Sequence, residues 1–367
     1  MKLAFLNSGV RSELLKKVSR IVVKLGTGVL TDSRKQPDLS QMEQLVAQVA
    51  REHQAGKEVL IVTSGAVGAG MGVLGFEKRP HTLDLLQACA AIGQSRLMAT
   101  YERLFARHGL NIAQVLLTHE DLQHHERHLN ARNTLVTLLQ KRVVPIVNEN
   151  DAVSFTELKF GDNDKLSALV ACLLPADLLL IATTVEGLME HFGTPQAKLV
   201  PWVEKIDATL EHSAGGTTSA TAVGGMATKI QAAKIVVRAG IPLVIASGRK
   251  PNVLRRVLEG REEGTLFAPS CKGLKGRKRW IAFFHHPQGT VFVDNGAKVA
   301  LRERGTSLLL PGIKSIEGMF EAGDVVRICD VDGTEFARGL ARLASAMFDE
   351  SSSSRSVVVH RDDLVVF

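Results

Sequence analysis

The amino-acid sequence predicts an α/β fold, in which helices cover both faces of a mostly parallel sheet, followed by a small β-rich domain. Over the first 250 residues, short apolar runs alternate with longer helical stretches, which is typical of parallel sheets. The runs are as apolar as burial on both faces of a sheet requires. After about residue 268 the strand-like runs are separated by turn residues such as DNG, AGD and VDG.

The strands of the larger domain are expected at six apolar or β-branched runs, namely 21–24, 59–64, 112–117, 143–148, 178–183 and 243–247. Helical patterns lie between most of them. In open α/β sheets, ligands bind beyond the carboxyl ends of the strands. The residues that directly follow each run are therefore the first candidates for binding and catalysis.

The boundary between the two domains is predicted from a change in composition. Residues 271–279 read CKGLKGRKR and are basic and rich in glycine, so we expect them to be a linker. The larger domain then covers residues 1–270, and the β-rich domain covers residues 280–367, an ordinary domain size. Within the second domain, WIAFF (280–284) is expected to be a strand.

Composition limits the classes of function. A chain of 367 residues is too long for one ordinary core, and its net charge of +7 fits an anionic substrate, weak attraction to nucleic acid, or solubility alone. The four cysteines form no CxxC pair, so neither a disulfide framework nor a zinc site is expected. Pro175 and Asp177 interrupt the most apolar region, so we expect no membrane span. The scattered cysteines favour a reducing compartment, and we predict a cytoplasmic protein without membrane association.

Two lysines lie close to glycines at the ends of predicted elements. Lys24 ends the first strand and GTG (26–28) follows, a turn in which backbone N–H groups can approach a phosphate. Taken alone, an ordinary turn with a surface lysine explains that stretch better. Lys229 follows two glycines and lies in the first turns of a helix, where a cation opposes the helix dipole. This placement favours an anionic ligand, although a lysine facing solvent is equally compatible. GxxxxGK[ST] and GxGxxG are absent, which disfavours an ordinary P-loop or dinucleotide fold.

Polar residues are concentrated in three other places. Ser64 and Gly65 follow the second strand, where small residues permit either close approach of a ligand or close packing of a helix. VNEND (147–151) follows the fourth strand and carries more polar side chains than a turn needs. GDND (161–164) precedes a helical pattern, so Asn163 or Asp164 can cap that helix, contact a substrate, or do both.

Together these motifs resemble the glutamate 5-kinase family of the amino-acid kinase superfamily. The resemblance rests on VVKLGTGVLT (22–31), VTSGAVGAGM (62–71), GQSRLM (93–98), VPIVNENDAV (144–153), GDNDKLSALVA (161–171) and GGMATKIQAA (224–233). It continues through ERGTSLLLPGIKSIEG (303–318), and the C-terminal part resembles a PUA domain, an RNA-binding type of β module.

The resemblance implies an αβα sandwich of the amino-acid kinase type and a phosphoryl transfer from ATP, with Mg²⁺, to the side-chain carboxylate of L-glutamate. That reaction is the first step of proline biosynthesis. A side-chain carboxyl with a pKa of about 4.3 is ionised at neutral pH, so this nucleophile needs no general base. Lys24 and Lys229 would flank the transferring phosphoryl group, and Asp164 would position the lysines or the metal.

The resemblance also assigns binding residues. Glutamate would be contacted by Ser64, Gly65, Asp151 and Asn163. ATP would be bound by Lys24, Gly26, Thr183, Thr184, Gly224, Gly225, Met226, Ala227, Thr228 and Lys229. Mg²⁺ keeps water and phosphate oxygens as ligands, so no clear metal motif is expected, and Asp162 or Asp164 would reach the ion through Mg-ATP.

Further expectations concern partners. The family implies inhibition by proline near residues 140–165, a homo-oligomer (dimer or tetramer) and glutamyl-phosphate reductase as a partner. The sequence leaves open whether the PUA-like domain binds RNA, because SSSSRS (351–356) replaces part of the usual sequence.

Three departures from the family pattern lie on the nucleotide side. Thr184 stands where the family usually has aspartate, Met189 lies in a stretch that usually contains Tyr-x-x-Asp-Pro, and Val223 stands in the usual GTGGM run. Two alternatives therefore stay open. One is a different carboxylate or carbamate kinase of the same superfamily, and the other is a regulatory RNA-binding protein with a decayed kinase domain.

Overall fold

The computed structural model describes residues 2–32, 37–153, 163–210, 225–270, 276–284, 287–348 and 356–367. The chain divides into two compact units, Met1–Gly273 and Leu274–Phe367. Each unit has its own buried apolar core.

The strands described in the first unit are β1 Arg20–Leu25, β2 Glu58–Val62, β3 Ile112–Leu117, β4 Val144–Glu149, β5 Leu178–Thr183, β6 Met189–Glu190, β7 Lys198–Leu199, β8 Trp202–Val203, β9 Leu243–Ser247 and β10 Thr265–Phe267. Its helices are α1 Lys2–Lys16, α2 Thr27–Leu30, α3 Leu39–Gln54, α4 Ala66–Leu74, α5 Leu83–Ala106, α6 His119–Gln123, α7 His125–Gln140, α8 Asp164–Leu173, α9 Met226–Arg238 and α10 Val253–Leu258.

Eight of these strands form one sheet in the order β3-β4-β2-β1-β5-β9-β10-β8. Neighbours from β3 to β9 are parallel, whereas β10 runs antiparallel to β9 and parallel to β8. All six strands expected from the sequence are confirmed, each within two residues of its predicted limits. The predicted α/β class with a mostly parallel sheet is therefore confirmed for the first unit.

Helices cover both faces of this sheet. Along β1, Ile21 and Val23 join the main apolar core with residues of α3 and α5, while Val22, on the opposite face, is also fully buried. On α8, every residue except Lys165 is buried, and the helix packs against β1, β5 and α9. Burial on both faces is why the strands read as continuous apolar runs.

The most apolar part of the sequence, residues 169–185, contains the end of α8 and then β5, as expected. Among the described residues, no helix combines the length and apolar character needed to cross a bilayer.

In the second unit, the described elements are α11 Gly276–Phe283, β11 Gly289–Val293, α12 Asn295–Arg304, β12 Leu308–Leu309, β13 Ile313–Glu317, β14 Val325–Cys329, β15 Glu335–Ala341 and β16 Val357–Val366. The six strands form one sheet in the order β12-β16-β15-β14-β11-β13. Only the β11–β14 pair is parallel among the strand pairs described there.

One expectation for the second unit is wrong. Residues 280–284 were expected to form a strand, but they belong almost entirely to the helix α11. Ile281 and Ala282 pack in a small core with Val325, Leu340 and Val365 of the sheet. A short apolar run fits a buried helix as well as a strand, and here the packing against the sheet favours the helix.

Candidate active site

The candidate active site lies at the carboxyl ends of β4, β2, β1 and β5, which are neighbours in the sheet. Lys24 is next to the last residue of β1 and pairs in register with Val62 of β2 and Ile181 of β5. The strands β2, β3 and β4 lie on one side of β1, and β5 lies on the other. Open α/β sheets bind ligands where the order of strands changes direction in this way.

A single carboxylate joins the two lysines singled out from the sequence. Asp164 accepts a hydrogen bond from Lys24 Nζ at 2.6 Å through Oδ1 and from Lys229 Nζ at 2.9 Å through Oδ2. The exposed fractions are 0% for Asp164, 3% for Lys24 and 5% for Lys229. Buried charges need such partners, and here two ammonium groups share one carboxylate.

Three separate elements supply this cluster. Lys24 comes from β1, Asp164 is the first residue of α8, and Lys229 is the fourth residue of α9. The hydroxyl oxygen of Thr228 lies 3.0 Å from Asp164 Oδ2 and 2.8 Å from the carbonyl oxygen of Gly225, and its single proton can be donated to either. The first turn of α9 therefore lies beside the lysines, where its backbone N–H groups favour an anion.

Asn163 connects α8 to the ends of two strands. It occupies the N-cap position of α8, but its side chain does not cap the helix. Instead, Nδ2 donates to the carbonyl of Thr63 at 2.6 Å and to Asn148 Oδ1 at 2.7 Å. Asn148 in turn donates to Gln94 Oε1 at 2.8 Å. The capping expected from the sequence is therefore not formed by Asn163, because its amide holds α8 against the chain after β2 and the end of β4.

A pocket next to this cluster contains the residues expected to bind glutamate. Ser64, Gly65, Asp151 and Asn163 all line it, and the first turn of α4 forms part of its wall. Gly65 has a φ of 103°, a left-handed conformation that favours glycine. The four residues that the sequence placed on the substrate side are thus brought together.

The start of α4 is held by close contact with α5. A Cβ on Gly70 would lie 1.8 Å from the carbonyl oxygen of Cys89, and a Cβ on Gly93 would lie 1.8 Å from that of Ala66. Only residues without a side chain fit at these two points. The two backbones therefore touch, which fixes the chain at Ser64 where it forms the pocket wall.

The carboxyl group of Asp151 has a raised pKa. Burial raises its pKa from 3.8 to about 6, although the positive charge of Arg79 acts in the opposite direction. Desolvation disfavours the charged form of a carboxyl group, which explains the sign of the shift. At neutral pH the group is still mainly ionised, and it presents a negative charge to the pocket.

Comparison with known proteins agrees with this geometry. The model of the amino acid kinase family matches residues 19–247, and that of the PUA domain matches residues 289–361. A glutamate 5-kinase from Geobacter sulfurreducens is 45% identical over 97% of this chain and 100% of its own length. Another from Cronobacter sakazakii is 45% identical over 94% of this chain and 98% of its own length.

The chain belongs to the glutamate 5-kinase family. Membership of this kinase family implies the use of ATP. A solved carbamate kinase from Giardia lamblia, bound to AMP-PNP, is 18% identical and has a TM-score of 0.51, covering 70% of this chain and 100% of its own. That likeness supports the amino-acid kinase fold.

Three residues predicted to contact the nucleotide, Gly26, Thr183 and Thr184, lie at the neighbouring ends of β1 and β5. The N–H of Gly26 donates to the carbonyl of Ala182 at 3.2 Å, so that amide is already engaged. A Cβ on Gly28 would lie 3.0 Å from Thr184 Cγ2, so the GTG turn packs against Thr184.

The other predicted nucleotide contacts lie at the start of α9, where Gly225 is the N-cap residue and Met226, Ala227, Thr228 and Lys229 form the first turn. Gly224 and Val223 lie outside the described residues, as does Asp162. Met189 pairs with Leu199 in the two-stranded β6–β7 sheet. The roles of these residues in ATP binding stay predictions.

The described residues do not fit a magnesium ion held by protein carboxylates. Among them, no three His, Cys, Asp or Glu side chains converge as metal ligands would. Both oxygens of Asp164 accept hydrogen bonds from the lysines, so this carboxylate organises the cations. Mg²⁺ would therefore be held mainly by phosphate oxygens and water, as part of Mg-ATP.

The sequence did not single out three residues of the site. The carbonyl of Thr63 holds Asn163, Gln94 holds Asn148, and Arg79 lines the pocket. Gln94 lies within the GQSRLM motif (93–98). That motif supported the resemblance to the family, but it did not indicate what Gln94 contacts. Arg79 lies in a polar connection between two helices, and no pattern in the sequence distinguishes it from its neighbour Lys78.

Proposed function

We propose that this protein transfers the γ-phosphoryl group of ATP to the side-chain carboxylate of L-glutamate, giving ADP and L-glutamyl 5-phosphate. The observation that carries the proposal is the pair of buried lysines on Asp164, next to a pocket lined by Ser64 and Asp151. Two fixed cations suit a migrating phosphoryl group, and the pocket suits a small polar acid.

The chemical step needs few protein groups. An oxygen of the ionised side-chain carboxylate attacks the γ-phosphorus, the bond from that phosphorus to the β,γ-bridging oxygen breaks, and ADP leaves with the electron pair. No proton is removed from the nucleophile, so a general base is unnecessary. Catalysis then consists of positioning and of stabilising negative charge on the transferring group, which Lys24 and Lys229 provide in a buried setting.

Asp164 has an organising role in this proposal. It holds both ammonium groups within 3 Å of its oxygens, at 2.6 and 2.9 Å. Cations that the protein fixes in this way stabilise charge on the transferring group with little reorganisation of their side chains. A magnesium ion bound to ATP would screen the negative charge of the phosphates.

The orientation of glutamate follows from the charges around the pocket. Asn163 is adjacent in the chain to Asp164, so the side-chain carboxylate points to this end, toward the lysines. Asp151 is the acidic group of the pocket wall and is suited to the α-ammonium group of the substrate. Ser64, Gly65 and the first turn of α4 supply hydrogen bonds between the two ends.

The decisive experiment traps the acyl phosphate with hydroxylamine. Purified protein with saturating Mg-ATP is expected to form the hydroxamate of L-glutamate and to release ADP at the same rate. Lys229→Ala is expected to lower kcat by about 100-fold or more, since it removes one charge that stabilises the transferring group. Lys165→Ala is the matched control, because Lys165 is next to Asp164 in the chain but is exposed.

Substrate competition separates this proposal from its alternatives. If hydroxamate forms from L-aspartate or N-acetylglutamate but not from L-glutamate, that other acid is the substrate. Formation of ATP from ADP and carbamoyl phosphate would indicate a carbamate kinase. A protein that forms no product with any acid, yet binds labelled RNA with a steep dependence on salt, would instead be a regulatory protein with a decayed kinase domain.

Further parts of the proposal concern regulation and partners. We propose that proline competes with glutamate near residues 140–165, that the protein is a cytoplasmic homo-oligomer (dimer or tetramer), and that glutamyl-phosphate reductase consumes the labile acyl phosphate. Millimolar proline is expected to raise the KM for glutamate without changing kcat. Light scattering measures the oligomeric state, and a coupled assay with the reductase tests transfer of the product.

A further inference from the structure

Arg79 lies on the connection between α4 and α5 and lines the same pocket as Ser64, Asp151 and Asn163. Its side chain is exposed, whereas those of Ser64 and Asn163 are buried. Its positive charge acts on Asp151, whose pKa it lowers against the effect of burial. A cation and an anion therefore share one part of the pocket wall.

This part is the end of the pocket away from the phosphoryl site. The lining residue Asn163 directly precedes Asp164, and Thr27 follows Lys24 closely in the chain, so both belong to the end of the pocket nearest the lysines. Asp151 also lines a neighbouring recess together with Gln94 and Glu149, two residues that do not line this pocket. A substrate whose side-chain carboxylate lies near Asn163 thus has its α-carbon near Asp151.

We propose that Arg79 binds the α-carboxylate of L-glutamate while Asp151 binds its α-ammonium group, so that the two residues together select a free α-amino acid. The inference rests on the proposed function and extends it by naming the residue that binds the α-carboxylate of the substrate. Both charges of the α-carbon then meet an opposite charge on the protein.

The chemistry of the two groups supports this assignment. Glutamate carries two carboxylates, and the lysine cluster accounts for only the reacting one. The α-carboxylate would otherwise approach the anionic Asp151 without compensation. A guanidinium group presents two parallel N–H donors that match a carboxylate, a match that an ammonium group does not reproduce. Arg79 therefore offers a binding mode that a lysine at the same position would provide only in part.

The test compares three substrates in the hydroxamate assay. These are L-glutamate, 4-aminobutanoate, which lacks the α-carboxylate, and glutarate, which lacks the α-ammonium group. Arg79→Gln is expected to lower kcat/KM for L-glutamate by about 10- to 100-fold, mainly through KM, because it removes a charge-assisted hydrogen-bonded pair. The same variant is expected to change kcat/KM for 4-aminobutanoate by less than about threefold. Arg79→Lys is expected to recover part of the loss.

Two controls exclude indirect effects. Lys78→Gln makes the same change of charge at the neighbouring exposed residue and is expected to leave all three substrates unaffected. The comparison is repeated at pH 8.5, where Asp151 is ionised whether or not the positive charge of Arg79 is present. This distinguishes direct contact between Arg79 and the substrate from an indirect effect of Arg79 on the pKa of Asp151. A loss that persists at pH 8.5 supports direct contact, and a loss that disappears there overturns it.

Binding measured by calorimetry makes the inference independent of phosphoryl transfer. Weaker binding of L-glutamate to Arg79→Gln, with binding of 4-aminobutanoate unchanged, supports the assignment even if no hydroxamate forms. Equal losses for both ligands, or no loss for either, would overturn it. Absence of hydroxamate from the unaltered protein, by contrast, counts against the proposed function alone.

Discussion

The substitution Asp164→Asn removes one negative charge from the cluster and leaves the shape of the side chain almost unchanged. In the folded protein, Lys24 and Lys229 then keep two buried ammonium groups around a neutral amide, at sites where the carboxylate oxygens lay 2.6 and 2.9 Å away. Breaking a buried ion pair by removing one partner costs about 3–5 kcal/mol. At about 2–4 °C per kcal/mol for a domain of this size, Tm is expected to fall by about 6–20 °C.

Activity is expected to fall as well. The lysines lose the group that positions them, and a positioned charge that stabilises a transition state contributes about 10²–10³ to kcat. The hydroxamate assay should therefore show a kcat at least about 100-fold lower for Asp164→Asn. Saturating Mg-ATP is expected to raise Tm more in the variant than in the unaltered protein, because phosphate oxygens then compensate both lysines.

The matched control is Glu43→Gln, the same chemical change in an exposed ion pair with Arg107 at 2.6 Å. Such a surface pair contributes about 0–1 kcal/mol, so neither Tm nor kcat should change appreciably. An Asp164→Asn protein whose kcat stays within tenfold and whose Tm stays within about 2 °C would refute the argument. Asp164 would then have no organising role.

Three further substitutions or titrations test other parts of the site. Because burial raises the pKa of Asp151 to about 6, kcat/KM for L-glutamate is expected to fall about tenfold per unit of pH below that value, and Asp151→Asn should flatten this profile. Tyr101→Phe removes the buried partner of the Thr63 hydroxyl, 2.8 Å away, and should lower the free energy of unfolding by about 1–3 kcal/mol in a urea titration. Gly93→Ala should separate α5 from α4, with a large loss of Tm and a higher KM for glutamate.

The controls for these predictions use nearby positions. Gly68→Ala, where a Cβ would meet nothing within 4 Å, should not lower Tm as Gly93→Ala does. Equal stability of the two variants would show that α4 and α5 can separate freely. A pH profile that keeps its decline near pH 6 after Asp151→Asn would assign that titration to another group. Unchanged urea unfolding of Tyr101→Phe would mean that water replaces the lost hydroxyl.

Six of the eight strands of the large sheet could be predicted from the sequence, because burial on both faces of a sheet gives continuous apolar runs. The helix at 276–283 could not, since five apolar residues have no diagnostic period and the decision is made by contact with Val325 and Leu340. Periodicity reports which face of a segment is buried, but it does not report the partner on which that face packs.

The candidate site could likewise be predicted from the sequence only in part. The lysines and Asp164 were expected because each lies within a motif beside glycines or a helix start. Their arrangement around one carboxylate depends on residues 140 and 65 positions apart, which local pattern cannot relate. The hydrogen bonds from Asn163 to Asn148 and from Asn148 to Gln94 are likewise long-range contacts. Arg79 lies outside every motif. It is far from Asp151 in the sequence, and only the folded chain brings the two residues to the same pocket.

The shared carboxylate also bears on how the catalytic cycle ends. When ADP and the acyl phosphate depart, they take their negative charges with them, and two buried lysines would be left facing one another if Asp164 were absent. Asp164 lies within hydrogen-bonding distance of both Nζ atoms, so the two cations share a counterion that belongs to the protein and does not leave with the products. This counterion weakens the net attraction between the lysines and the departing anions, and it thereby lowers the electrostatic work of product release.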